Sequence, residues 1–282
     1  MIDINELRVR FGSFTAVDGL TLQAARGEVF GFLGPNGAGK STTIRVLTGI
    51  LKPTSGTVHI AGHPIPHKLG QVKSLCGYVP DTEDHYEELS GRANLQIYAD
   101  LYRCPKAAVD EVLALLELSE AAGLAVSRYS KGMRKKLLIA RELLHKPSVL
   151  FCDEPTANLD AHSTALVRGI LRDLRERGTT VFLTTHNMVE VEEICDRVAI
   201  LSKGRLVDCD TPAAFMTRHA ENKVRVERAK NGHQSREIFD LDDSAAREQL
   251  AQLIREQSQI RLHSMDFRFE DVFRKLTGDS YV

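Results

Sequence analysis

Residues 34–41 have the composition of a phosphate-binding loop. Their sequence, GPNGAGKS, fits G-x-x-x-x-G-K-[ST] and lies between an apolar run and a segment with helical spacing. The glycines allow successive backbone N–H groups to point at one anion, and a helix beginning near Lys40 adds its positive end. We expect Lys40 to neutralise the β- and γ-phosphates of a nucleotide and Ser41 to donate its hydroxyl oxygen to Mg²⁺. The predicted nucleotide-binding residues here are Gly34, Pro35, Asn36, Gly37, Ala38, Gly39, Lys40, Ser41 and Thr42.

Two adjacent carboxylates follow a second apolar run, at residues 149–152. We expect Asp153, at the end of the strand, to hold Mg²⁺ directly or through water. Glu154 points elsewhere and is suited to polarise the attacking water as a general base. Adjacent carboxylates at a turn are usually a solvated surface pair, but a buried run in a chain with a phosphate-binding loop favours the catalytic interpretation.

The apolar pattern predicts the elements that position these groups. Residues 28–33, 149–152 and 180–183 are short apolar runs typical of buried strands. Such strands alternate with helical patterns, which predicts an α/β fold with a parallel sheet covered on both faces. Residues 90–145 are mostly helical in pattern, so we expect a helical insertion into this core.

The pattern changes after about residue 218. Alternating and helical segments there predict strands at 223–228, 236–241 and 260–265, the first two paired, and helices at 243–257 and 269–276. We therefore predict a first domain at 1–217, with its helical part at about 88–146, and a small α+β accessory domain at 218–282.

Composition argues against several classes of protein. Lys and Arg total 37 against 38 for Asp and Glu, so no basic excess favours binding to nucleic acid. The five cysteines include no CxxC pair and indicate reduced thiols in a cytosolic protein. No stretch approaches 18 consecutive apolar residues, and residues 1–6 lack the pattern of a signal peptide. We expect any membrane association to come from a partner.

GTPases, kinases and helicases also carry the phosphate-binding loop, but further motifs resemble the ABC ATPases. In chain order these are Phe11 at the aromatic A-loop position, with Phe14 as an alternative, GYVP at 77–80 before the Q-loop position, YSKGM at 129–133 in place of the signature motif, PTANLD at 155–160 for the D-loop, and TTH at 184–186 for the switch histidine. The resemblance covers residues 1 to about 217. It implies a P-loop NTPase cassette with a parallel core sheet, an antiparallel β subdomain and a helical insertion.

The resemblance also implies roles for these motifs. ATP would lie between the phosphate-binding loop of one subunit and the signature motif of a second, in a head-to-tail homodimer, with Phe11 stacked on adenine. Ser130 and Gly132 would contact the γ-phosphate in trans, and Asp160 would cross the interface. His186 would contact the γ-phosphate and help to hold the water. The predicted catalytic residues are therefore Glu154, His186 and Lys40.

Two positions depart from the pattern of the family. The signature motif normally reads LSGGQ, whereas Tyr129, Lys131 and Met133 stand here at its first, third and last places. Asp81 stands where the family usually has glutamine, so it is a candidate Mg²⁺ ligand with a shorter side chain. We expect function to be retained, because the phosphate-facing pair of the signature motif is present.

The resemblance implies an ATP-binding and ATP-hydrolysing subunit of an ABC transporter. It would power a separate integral membrane permease from the cytoplasmic face of the cell (inner) membrane. Residues 269–278 resemble the tail of ATPases that serve drug or antibiotic exporters, and residues 81–102 are predicted to form a groove for a helix of the permease. Two alternatives remain: a soluble ABC protein of translation or DNA repair, and a regulatory ABC subunit with weak turnover.

Overall fold

The computed structural model describes residues 1–219, 222–230, 233–256, 260–264 and 268–278. The chain divides into two compact units, one containing Met1–Pro212 and the segment from Leu276, the other Ala213–Lys275. The strands are β1 (Ile2–Phe11), β2 (Phe14–Ala24), β3 (Val29–Leu33), β4 (Ser55–Ile60), β5 (His63–Ile65), β6 (Cys76–Val79), β7 (Val149–Asp153), β8 (Thr180–Thr184), β9 (Arg197–Ser202), β10 (Arg205–Asp210), β11 (Lys223–Lys230), β12 (His233–Asp240) and β13 (Ile260–Ser264).

The helices are α1 (Lys40–Leu47), α2 (Leu69–Leu75), α3 (Gly91–Leu101), α4 (Ala108–Leu115), α5 (Lys131–Leu143), α6 (Ala161–Glu176), α7 (Met188–Ile194), α8 (Pro212–His219), α9 (Ser244–Glu256) and α10 (Phe269–Thr277). The predicted boundary between residues 217 and 218 lies inside α8, whereas the two compact units divide between Pro212 and Ala213.

A six-stranded sheet in the order β10-β9-β3-β8-β7-β6 forms the centre of the first unit. Its strands are parallel except for β10, which pairs antiparallel with β9. Strands β3 and β8 are buried along their whole length, which explains their unbroken apolar runs. Because parallel strands end at the same edge, β3, β7 and β8 bring the segments that begin at residues 34, 154 and 185 to one side of the sheet.

Phenylalanine rings fill the centre of this sheet. The ring of Phe182 on β8 lies 5.6 Å from that of Phe30 and 5.0 Å from that of Phe32, both on β3, and 5.8 Å from that of Phe151 on β7. These distances are in the range of favourable aromatic pairs. The strands that carry the predicted site are therefore fixed to one another by close packing.

The antiparallel sheet of the first unit has the order β2-β1-β4-β5. Its inward residues, such as Ile4, Val17 and Val58, belong to the same buried cluster as Phe32 and Phe151 of the parallel sheet. The antiparallel β subdomain implied by the resemblance is present, and it shares a core with the parallel sheet.

The helical insertion is confirmed: α3, α4 and α5 lie between β6 and β7 in the sequence and pack against one another. The apolar side chains with i, i+3, i+4, i+7 spacing in this region are buried: Val109, Val112, Leu113 and Leu116. None of the described helices combines the length and the apolar character needed to cross a membrane.

The second unit contains an antiparallel sheet in the order β12-β11-β13. The predicted pairing of its first two strands is confirmed, with Val224 opposite Phe239. Helix α9 contributes Leu250 to a small core with Val226 and Phe239. The predicted ends of two elements, Gln257 and Met265, lie outside the described residues.

Candidate active site

Two glycines allow the segment between β3 and α1 to curl tightly. Gly39 precedes α1 with φ at 103°, and a Cβ there would lie 2.6 Å from the carbonyl oxygen of Ala16. A Cβ on Gly34 would lie 2.6 Å from the carbonyl oxygen of Leu201. Both positions therefore require glycine. This loop is held against β2 and β9 on its inner side, and Gly37 at its tip is exposed.

The ammonium group of Lys40 lies inside the curve of the loop. Its Nζ donates hydrogen bonds to the carbonyl oxygens of Gly34 at 2.5 Å and Pro35 at 3.2 Å. Burial lowers the pKa of Lys40, while the charges of Glu154 and Asp153 act in the opposite direction. Lys40 is thus close enough to both carboxylates to interact with them electrostatically, as the predicted site requires.

Asp153 ends β7, and the hydroxyl of Thr184 at the end of β8 donates a hydrogen bond to it. Ser41, in the first turn of α1, is exposed and directly follows Lys40. Carboxylate and hydroxyl oxygens are hard ligands of the kind that Mg²⁺ prefers, together with phosphate oxygens. The donor set at Ser41 and Asp153 therefore fits this metal.

Glu154 and His186 meet across the ends of β7 and β8. The backbone N–H of His186 donates to Oε2 of Glu154 at 3.2 Å, and Nε2 of His186 lies 3.2 Å from Oε1. Glu154 has a φ of 51°, and its N–H donates to the carbonyl oxygen of Thr184 at 3.1 Å. Positive φ in a non-glycine residue costs free energy and is frequent at functional sites. Both side-chain oxygens of Glu154 are thereby directed at the histidine.

Burial is the main cause that raises the pKa of Glu154, to about 7. The charges of Asp153 and Glu190 raise it further, whereas the N–H of His186 and the charge of Lys40 act against them. Burial, followed by the charge of Lys40, lowers the pKa of His186. A carboxylate with a pKa near neutrality is well matched to accepting a proton from water.

The signature segment forms the N-terminus of α5. The Oγ of Ser130 accepts a hydrogen bond from the N–H of Met133 at 3.2 Å, which is a helix N-cap. Ser130 and Lys131 are exposed. Tyr129 is buried instead: its hydroxyl donates to the carbonyl oxygen of Ala121 at 2.8 Å, and its ring lies where a Cβ on Gly91 would clash. The tyrosine therefore anchors the segment to the helical insertion.

The model of the ABC transporter family matches residues 17–157. A fluoroquinolones export ATP-binding protein of Mycobacterium tuberculosis is 36% identical over 93% of this chain and 88% of its own length. The chain belongs to the ABC transporter family. A Nod factor export ATP-binding protein I of Paraburkholderia xenovorans is 33% identical over 98% and 97% of the two chains. The solved structure of an ATP-binding subunit of an ABC transporter superposes with a TM-score of 0.72 at 26% identity, covering 77% of this chain and 92% of that one.

This ABC protein is therefore an ATP-binding subunit with the fold of an ABC ATPase, as the resemblance implied. It is an ATP hydrolase by family.

In the cassette Asp160 has a local partner. Its two carboxylate oxygens accept from the N–H and the hydroxyl of Ser163, both at 2.9 Å, and these hydrogen bonds lower the pKa of Asp160. The contact makes Asp160 the N-cap of α6. The exposed residue is positioned by its own helix, and its predicted role across an interface stays a prediction.

The other two sequence candidates lie at the edges of the site. Asp81 is exposed. Burial lowers the pKa values of His186 and Lys135 and the charge of Asp81 opposes that lowering, so Asp81 is near enough to both to act on them electrostatically. Phe11 pairs with Phe14 across the end of the β1–β2 hairpin, and both rings are at least half exposed. Either ring is thus accessible for stacking on a base.

Two contacts around the site were not predicted from the sequence. Thr184 bonds Asp153, and Glu190 on α7 is fully buried near Arg168 on α6. The only signal for Glu190 in the sequence is its position, four residues after His186 on a helix that also carries apolar Met188 and Val191. Exposed glutamates are common on such helices, so that signal is weak.

Proposed function

We propose that this chain hydrolyses ATP at the site formed by the phosphate-binding loop, Glu154 and His186, and that the hydrolysis powers export through a separate membrane subunit. The proposal rests on the pairing of Glu154 with His186. The two residues meet at the same edge of the sheet from which the phosphate-binding loop extends. The relatives named above act in export, which favours an exporter over an importer.

The loop binds the triphosphate through its backbone N–H groups and Lys40. Lys40 exchanges the carbonyl oxygens of its own loop for the β- and γ-phosphate oxygens, because an ammonium group gains more from an anion than from a carbonyl. Ser41 and Asp153 would hold Mg²⁺, which would supply positive charge to neutralise the phosphates. Asp81 is a further candidate ligand at the rim. Phe11 stacks on adenine, with Phe14 as the alternative.

Hydrolysis is an in-line displacement at the γ-phosphate. The oxygen of water forms a bond to phosphorus, the bond to the β–γ bridging oxygen breaks, and ADP leaves. Glu154 takes the proton of the attacking water, and His186 orients Glu154 and contacts the γ-phosphate. Positioning and charge neutralisation supply most of the rate in such reactions.

The exposed end of α5 supports a head-to-tail homodimer. Ser130 and Gly132 lie in the first turn of a 13-residue helix whose N-terminus is accessible, and helix N-termini bind anions. In the dimer that end completes the phosphate site of the second copy, and Asp160 lies at the same interface. Lys131 adds a cation beside it.

The permease would contact residues 81–102, on the cytoplasmic face of the membrane. Tyr86 and Leu101 in this region are exposed, as is common for docking surfaces. Tyr98, which lies in this region, is engaged within the cassette: the guanidinium of Arg141 lies 4.7 Å from the centre of its ring and donates to its hydroxyl. Tyr102 stacks on His145 at 4.2 Å. Tyr86 and Leu101 are therefore the better positions for testing the contact.

The decisive experiment compares Glu154→Gln with the wild type in steady-state ATPase assays with Mg²⁺. We expect turnover to fall by about 10²–10⁴-fold with ATP binding retained, since general-base assistance has that magnitude. Glu176→Gln, an exposed residue at the end of α6, is the matched control. Normal turnover of Glu154→Gln would exclude it as the base, and background turnover of the wild type would favour a regulatory subunit.

Export through a membrane subunit is tested by purification from membranes. We expect a polypeptide with several membrane-spanning segments to co-purify, and Tyr86→Ala with Leu101→Ala to weaken that association. Recovery of the chain with ribosomes or DNA instead would favour the soluble class of ABC proteins.

A further inference from the structure

The side chain of Tyr129 is buried, although the two residues that follow it in the signature segment are exposed. Its hydroxyl donates to the carbonyl oxygen of Ala121 at 2.8 Å, so this buried polar group has a partner. The signature motif of the family has leucine at this place, and leucine is shorter and lacks the hydroxyl. Tyr129 therefore reaches a point in the helical insertion that leucine would not reach.

That point lies at Gly91, the first residue of α3. A Cβ added to Gly91 would lie 2.1 Å from the hydroxyl oxygen of Tyr129 and 2.9 Å from its Cζ, and both distances are too short for non-bonded atoms. The φ of Gly91 lies outside the left-handed region, so its backbone conformation is open to other residues. The ring of Tyr129 is therefore what requires glycine at this position, and the two residues form a pair matched in size.

Backbone hydrogen bonds hold the chain on both sides of this pair. The N–H of Gly91 donates to the carbonyl oxygen of Leu124 at 3.2 Å, and the N–H of Val126 donates to that of Leu89 at 2.9 Å. The start of α3 and the segment before the signature therefore lie side by side. Neither can move away from the ring of Tyr129 without breaking these hydrogen bonds.

We propose that Tyr129 is a positioning residue that, together with Gly91, fixes the place of Ser130 at the N-terminus of α5. Consecutive Cα atoms are about 3.8 Å apart, so Ser130 cannot shift far without moving the ring. The inference rests on the proposed function only in assigning Ser130 and Gly132 to the phosphates of a second copy. Tyr129 does not touch the nucleotide: it acts through Ser130. A misplacement of about 1 Å can lower a rate by about 10²-fold, which is why such a fixed point matters.

The central test exchanges the sizes of the two residues. Gly91→Ala places a methyl group against the ring, and we expect turnover to fall by about tenfold or more. Tyr129→Leu leaves a gap beside Gly91 and should also lower turnover. The double variant fills this gap with the new methyl group, so its turnover should recover to within about threefold of the wild type. A double variant whose loss is the product of the two single losses would overturn the proposal.

Gly123→Ala is the matched control, because it is the same substitution in the same insertion and a Cβ there meets nothing within 4 Å. It should leave turnover unchanged. Gly91→Ala does not alter the phosphate-binding loop, so ATP binding to a single copy should stay within about twofold of the wild type. In a Glu154→Gln background, Gly91→Ala should instead weaken the ATP-dependent dimer measured by light scattering. Loss of ATP binding in parallel with turnover would contradict the positioning role.

Hydrogen exchange of the nucleotide-free protein provides a test that does not depend on hydrolysis. The N–H of Met133 donates to Oγ of Ser130, so it should exchange faster in Gly91→Ala than in Gly123→Ala and recover its protection in the double variant. If the wild type lacks ATPase activity, the proposed function fails while this measurement still decides on the place of Ser130. If Gly91→Ala does not fold, Tyr129→Leu carries both tests, and folding of the double variant would support the match in size. Unchanged exchange at Met133 would contradict the proposal.

Discussion

The phosphate-binding loop and the signature segment differ in how completely contacts within one copy of the chain enclose them. In the loop, Gly39 and Gly34 lie close against Ala16 and Leu201, and Nζ of Lys40 donates hydrogen bonds to the carbonyl oxygens of Gly34 and Pro35. In the signature segment, Ser130 caps its helix but lies exposed at the helix end. The first is a closed cradle and the second is an accessible anion-binding end. This difference supports the proposal that each copy provides two complementary halves of a shared site.

Replacing Lys40 of the phosphate-binding loop should have the largest effect on turnover. Lys40→Ala removes the charge that neutralises the β- and γ-phosphates, and we expect turnover to fall by about 10³-fold, with weaker ATP binding. Turnover and binding of a fluorescent ATP analogue are the measurements. Lys52→Ala, an exposed lysine after α1, is the control. Unimpaired binding in Lys40→Ala would show that the loop does not hold the phosphates.

The next largest effect should come from the signature segment. Ser130→Asp keeps a good helix N-cap but places a negative charge where the γ-phosphate would lie, and we expect about 100-fold lower turnover. Ser130→Asn keeps the cap without the charge and should lose less. Because both variants preserve α5, their thermal midpoints should match that of the wild type. Equal turnover of the two variants would show that the signature segment does not lie against the phosphates.

Glycine substitutions test the same difference through the free energy of unfolding. Gly39→Ala combines a φ of 103° with a clash against Ala16, so we expect a loss on the order of 2–3 kcal/mol in the free energy of unfolding. Gly132→Ala meets only ordinary contact with Leu159 and lies in a helix, so its stability should change by less than about 1 kcal/mol. Chemical denaturation measures both. Similar losses for both variants would contradict the difference between a closed and an open segment.

The last effect concerns the pH dependence of stability. The folded-state pKa of Glu154 is raised from 4.5 to about 7, so its contribution to stability is fully present below pH 4.5 and is lost as pH rises through 7. Glu154→Gln removes this titration. In the metal-free protein its stability advantage over the wild type should grow between pH 4.5 and 7, to about 3 kcal/mol at most. Denaturation at pH 5 and pH 8 in EDTA tests this, and an advantage that is equal at both would contradict the raised pKa.

Local patterns in the sequence were enough to predict most of the fold. Residues 149–152 could be assigned to a strand because a central strand is buried on both faces and reads as an apolar run. The pairing of β11 with β12 followed from alternation in two neighbouring segments. The phosphate-binding loop was recognisable because Gly34 and Gly39 are required by close approaches within and around the loop itself.

Contacts between distant residues could not be predicted in this way. Tyr129 is buried against Gly91, which is 38 positions away, so its presence in the signature segment has a packing reason that spacing does not reveal. Tyr98, in the region predicted to form a groove, pairs with Arg141 on a different helix.

The central claim, that two copies share each nucleotide, is tested most directly by the mass of the Glu154→Gln protein in solution. With ATP and Mg²⁺, light scattering after size-exclusion chromatography should show a species of twice the mass of the chain. Without nucleotide, or with Ser130→Asp added, the mass should be that of one chain. A Glu154→Gln protein that binds ATP but keeps the mass of one chain, or dimerises equally well with Ser130→Asp, would contradict the account.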